Sequence, residues 1–117
     1  MNVPESHSSA ETSIRILLDN FDSFDIDDKL LFIKTAGLTL IEKTSIPTLS
    51  HIRLHSTYQL FKDVCEKLQE VSKELDTSET LELIESFNKE LSKIVQNFGR
   101  DHKRTEFVDQ FRGILEL

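Results

Sequence analysis

Apolar side chains recur along this chain in steps of three and four. Two long rows carry the pattern: Leu54, Tyr58, Phe61, Cys65, Leu68 and Leu75, then Leu81, Ile84, Phe87, Leu91, Ile94 and Phe98. That step is the helical period, so each row is one face of a helix. Between them lies Asp76-Thr77-Ser78-Glu79, an N-cap with an acid three residues on, so one helix stops near Leu75 and the next starts at once. The first runs from about Pro47 to Leu75, around 29 residues or roughly 43 Å, and the second from about Ser78 to Phe98. A connection this short turns the two back along each other. The sequence therefore predicts a long antiparallel helical hairpin as the framework of the fold.

Upstream, residues 28–43 place Leu30, Leu31, Phe32, Ile33, Ala36, Leu38, Leu40 and Ile41 almost all the way round one helix. Such a helix is buried on most sides and sits centrally in the groove of the hairpin. Asp25 or Asp27 caps its start, and it ends at Thr44-Ser45-Ile46-Pro47, where Ser45 is placed to cap the next helix and Pro47 to fit its first turn. Gly37 in its middle costs about 1 kcal/mol relative to alanine, a sacrifice that close approach of a neighbouring helix would explain. Ahead of it, Ser13 caps a short helix, Ile14 to Phe21. Residues 1–12, with Pro4, three serines and little to bury, read as a disordered tail before a single domain of residues 13–117. Past Phe98, Gly99 stands where a left-handed terminating residue belongs. A last helix, Thr105 to Leu115, carries Phe107, Val108, Phe111, Ile114 and Leu115 on one side. The fold class is all-α, a four- to five-helix bundle.

Composition adds a charge asymmetry. Of a net charge of −7, residues 1–28 hold seven acids against Arg15 alone, a balance of −6, and the remaining body is close to neutral. Phosphate-backbone binding needs converging lysines and arginines, so nucleic acid is not expected as a partner. The longest apolar segment, Leu30 to Ile41, is interrupted by Lys34 and is too short to span a bilayer. No apolar leader-like run is present near Met1, and the single cysteine forms no internal disulfide. These features imply an intracellular protein, cytoplasmic or nuclear, with no membrane insertion.

Few residues carry chemistry. Cys65 falls on an apolar row, where a cysteine acts as a small buried hydrophobe rather than a reactive thiol. His51 and His55 stand four apart on one helix face, the spacing of a two-histidine metal pair, but two ligands without a third make no site, and a surface pair is the reading. No serine lies in a nucleophile elbow, and Gly37, Gly99 and Gly113 are isolated, so no phosphate-cradling loop exists. In size the chain resembles the small four-helix bundles that relay phosphate through one exposed histidine. In that family a lysine follows three positions on and then a small residue. Here His51 precedes Ile52-Arg53-Leu54 and His55 precedes Ser56-Thr57-Tyr58, so the pattern fails at both. No cofactor and no small-molecule substrate is implied.

The interaction signals lie at the two ends of the chain. Asp19 to Asp28 sets aromatic residues among acids. Phe21, Phe24 and Ile26 act either as a hydrophobic clasp pinning the N-terminal segment to the bundle, or as an acidic linear motif that folds on a basic, apolar groove of a partner. The locally basic run Arg100-Asp101-His102-Lys103-Arg104 either neutralises the end of the helix closing at Phe98 or receives an acidic segment. The apolar helical surface exceeds what two short terminal helices cover, and exposed surface of that kind marks a protein contact. The expectation is a non-enzymatic interaction protein, a small subunit or adaptor of a larger complex, binding another protein or a second copy of itself through Phe21, Phe24, Ile26, Phe107, Phe111 and Leu115. The rivals are a histidine phosphotransfer bundle and an immunity- or antitoxin-like inhibitor of one basic partner.

Overall fold

The structure, a computed structural model, describes residues 3–46 and 49–115, the side chains of residues 3–9 and of His51 excepted. Among the described residues five α-helices follow one another: α1 (Val3–Asp19), α2 (Ile26–Lys43), α3 (His51–Val71), α4 (Thr77–Phe98) and α5 (His102–Leu115), with a single 3₁₀ turn, Phe21–Ser23, between the first two.

Local chemistry sets most of these boundaries. Asp25 opens α2, its carboxylate accepting from the Asp28 N–H at 2.9 Å. Ser45, expected to start the next helix, instead donates its hydroxyl to the Glu42 carbonyl at 2.6 Å and so closes α2. Ser50 opens α3 by accepting from the Arg53 N–H at 3.2 Å. α3 is therefore 21 residues long, shorter at both ends than the expected span of about Pro47 to Leu75, with Pro47 outside the described residues. Its C-terminus yields to a turn because the Ser72 hydroxyl takes up the Gln69 carbonyl at 2.7 Å. Asp76 precedes α4 as expected, but its carboxylate accepts from the Ser78 hydroxyl at 3.0 Å rather than from a helix N–H. Gly99 is right-handed, with φ −58°, not left-handed. The reason is that the chain does not unwind there: Asp101 donates to the Phe98 carbonyl at 2.9 Å and caps Arg104 in turn, leading directly into α5.

α1 also differs from expectation, running from Val3 instead of Ser13. Ile14 is buried, and Glu11 reaches Lys43 at the far end of α2 across 3.3 Å, with both side chains largely shielded from water. That tertiary anchor lies beyond the expected cap and favours helix on its N-terminal side.

α2, α3, α5 and α4 form a four-membered ring. α2 packs against α3 and α4, and α5 against the same two, so α3 and α4 face each other across the core instead of lying side by side. Side-chain size explains the arrangement. The facing residues Phe61 and Phe87 stand 5.8 Å apart centroid to centroid and hold α3 and α4 apart, whereas α2 presents Ala36 and Gly37 and closes in. A Cβ on Gly37 would lie 2.7 Å from Cε1 of Phe87 and nearer still to Cζ, so the absent side chain is what admits the ring. Facing the gap between α2 and α5, α4 buries Leu83, Phe87, Leu91 and Ile94. Its row is thus rotated from the expected one, and Leu81 is 53% exposed.

One buried cation ties the ring. Arg104, only 2% exposed, donates through Nη1 to the Thr44 carbonyl, pairs with Asp101 at 3.2 Å and lies 4.7 Å over the Phe98 ring. The basic run thus includes an internal bolt joining α5 to the end of α2.

Gly37 and Gly113 yield opposite expectations for the same substitution. Gly37→Ala gains about 1 kcal/mol of helix propensity but meets the buried Phe87 ring, and overpacking of that kind costs about 1–3 kcal/mol. The expected result is a lower urea midpoint. Gly113→Ala meets nothing within 4 Å and should raise the midpoint, by up to about 1 kcal/mol of stability. A Gly37→Ala protein as stable as the parent would refute the packing assigned to Phe87.

Candidate functional site

Apolar residues at the surface locate the site. Leu31 is 63% exposed and Leu17 41% exposed, an unusual outcome for a helix as apolar as α2 and for the inner half of α1. Between them runs an open groove of about 460 Å³. α1 supplies one wall with Ala10, Ser13, Ile14 and Leu17, and α2 the floor and other wall with Leu31, Phe32, Thr35, Ala36 and Thr39; Phe24 closes one end beside Asp28. α1 and α2 lie antiparallel here, since Glu11 meets Lys43 at one end while Leu17 and Asp28 share the other. Among the described side chains, α1 is held by Ile14 and Leu18 against the core, by the Glu11–Lys43 pair and by an exposed Arg15–Asp63 pair at 3.6 Å. An exposed pair of this kind contributes about 0–1 kcal/mol.

The six residues expected to bind a partner divide differently. Phe21 is buried, forming a triangle of rings with Phe24 and Phe32 at centroid separations of 6.0–6.4 Å, and Lys29 and Lys67 each lie 5.4 Å from its ring centre. Ile26 is half-buried against the same core. These contacts make the acidic segment a hydrophobic clasp, with its aromatic side chains turned in and its acids turned out. Phe111 and Leu115 are core residues: Phe111 stacks on Phe61 at 4.5 Å and on Tyr58 at 5.7 Å. Phe107 is half-buried beside Tyr58 and His55, at 6.3 and 6.4 Å. Phe24 alone of the six lines the groove, and Leu17 and Leu31 were missed. A signal for Leu31 existed, since a helix apolar on every side needs a cover on every side, and the segment before Ser13 is too polar to be one.

A larger hollow of about 600 Å³ between α2 and α4 is lined by Glu42, Lys89, Glu90 and Lys93 among others, and Lys93 pairs with Glu90 at 3.1 Å. Its charges compensate each other, and it gathers no catalytic set. His55 is exposed, and among the described residues no three His, Cys, Asp or Glu side chains converge to hold a metal. The other half of the expected histidine pair, the His51 side chain, lies outside the described residues. Among the described residues no helix is long and apolar enough to cross a membrane.

The chain matches no family model, no curated protein and no solved structure. The groove's own geometry therefore carries the functional reading.

Cys65 is buried in the core, and burial pushes its thiol up to about 12. The folded thiol holds its proton more tightly than the unfolded one, whose ordinary value is about 8.5. Its contribution to stability is complete below that value and is lost as pH rises toward about 12. Native protein should resist alkylation at pH 8 over hours yet label rapidly in denaturant, and Cys65→Val should flatten part of the alkaline fall in stability. Rapid labelling of the native state would contradict this burial.

Proposed function

We propose that this chain is a non-enzymatic protein-interaction module, a small subunit or adaptor of a larger intracellular complex, cytoplasmic or nuclear, that docks another protein along the α1–α2 groove. The observation that carries the reading is the pair of exposed leucines, Leu17 and Leu31, flanking an otherwise apolar trough. Water held against such surface is released on contact, which favours association. Two antiparallel helical walls with an open top also match the way a groove receives an amphipathic helix. The lone buried cysteine, the self-compensating charges of the larger hollow and the failed phosphorelay pattern around His55 offer no competing chemistry.

The test compares affinity capture by the full chain with capture by a Leu17→Glu, Leu31→Glu variant, using Ile52→Glu as a control. Ile52 is 80% exposed on α3 and lines no part of the groove. All three proteins should keep their helical signal, because exposed substitutions shift stability by about 0.5 kcal/mol or less. A partner retained by the parent and the control should be lost from the groove variant, since charging a central interface residue costs about 2 kcal/mol or more, some thirty-fold in affinity. Undiminished capture by the groove variant would overturn the assignment.

A further inference from the structure

The groove is selective in charge as well as apolar. Among the described residues Asp28 is the one charged side chain lining it, and Asp25 and Asp27 stand exposed at the same end. The nearby bases are turned elsewhere: Lys29 lies over the Phe21 ring, Lys34 borders a hollow on the α4 side, and Lys43 is engaged by Glu11. Among the described residues the trough therefore has an apolar floor and one negative end with no compensating cation in its lining.

Its length is set by α2. From Asp28 to Thr39 the helix advances about 16 Å, or three turns. Both walls are helices, and among the described residues there is no strand edge for an extended peptide to join. A third helix laid between them repeats ordinary helix packing, whereas an extended segment would leave its backbone groups unpaired against apolar walls. A second copy of this chain fits poorly. It offers the same concavity, so two troughs facing each other leave both floors unfilled, and each copy brings a net charge of −7.

Resting on the docking reading above, we propose that the groove receives one amphipathic helix of about three turns from another protein, with an apolar stripe on the floor and Lys or Arg side chains at the end meeting Asp25, Asp27 and Asp28. The apolar stripe supplies the affinity. The basic end sets the direction in which the helix lies and selects against acidic helices.

The probe is a fluorescent synthetic helix of about fourteen residues, long enough to cover the three turns. It carries leucines at i, i+3, i+4 and i+7 and lysines at one end, and is compared with an analogue bearing glutamates in place of the lysines. At low salt the full-length chain should bind the lysine peptide at least ten-fold more tightly, with the gap closing as salt screens the acids. A chain carrying Asp25→Asn, Asp27→Asn and Asp28→Asn, which keeps a capping side chain at residue 25, should bind the two peptides about equally. The Leu17→Glu, Leu31→Glu variant should bind neither, and amide shifts on titration should fall along α1 and α2. Equal affinity of the parent for both peptides, binding indifferent to the groove variant, or a Leu31-dependent dimer at micromolar concentration would each overturn the proposal. If capture is lost in the groove variant while the parent does not discriminate the peptides, the partner chemistry fails and the docking site stands. Capture unchanged in the groove variant removes both.

Discussion

Phe61, Phe87 and Phe111 meet at the centre of the bundle, and the glycine at position 37 makes room for them. Phe61 stacks on Phe111 and meets Phe87 edge-on, so α3, α4 and α5 share one aromatic column. Such ring pairs add about 0.5–1.5 kcal/mol each beyond the area they bury. α2 joins only because Gly37 presents no Cβ to Phe87. The ring order of the helices follows, with small residues where axes approach and large ones across the diagonal. The intrinsic helical cost of that glycine is modest beside what its absence of a side chain admits.

A second aromatic centre, Phe21 with Phe24 and Phe32, ties the N-terminal segment to α2. It turns the rings of the acidic stretch inward, and the acids, bound to alternate positions of the same short segment, are left outside. One arrangement therefore has two consequences: α1 is delivered onto α2 and α3, and carboxylates collect at the start of α2. The clasp ends at Phe24, which is also where the apolar groove closes.

The groove reflects incomplete cover. α2 is apolar on more sides than α3 and α4 can occupy, and α1 rests on the remaining side with Ile14 inward while Leu17 and Leu31 stay in water. Filling that side would require a second apolar helix parallel to α1. The proposed docking function rests on this structural deficit. The buried Arg104, by contrast, stabilises the opposite end of α2 from within, holding α5 to the Thr44 carbonyl.

The sequence alone determined the presence of the helices and most of their inward-facing residues. A three–four step of Leu, Ile, Phe and Val cannot be buried by any other local structure, and Asp25 and Asp76 mark helix starts through short-range hydrogen bonding or backbone preference, whereas Ser50 rather than Ser45 opens α3. Gly37 announced a close approach for the same reason, being costly anywhere else. Which helices became neighbours was not legible, because periodicity records that a face is buried and not what buries it; α3 and α4 thus proved diagonal and Leu81 exposed where Leu83 is covered. The exposure of the residues expected to bind was not legible on the same ground. Phe21, Phe111 and Leu115 were taken by contacts distant in sequence, and Leu17 and Leu31 were left out of them. Exposure is a property of the whole packing, settled by volume and shape among helices, so only the tertiary structure decided where this chain leaves an apolar surface open.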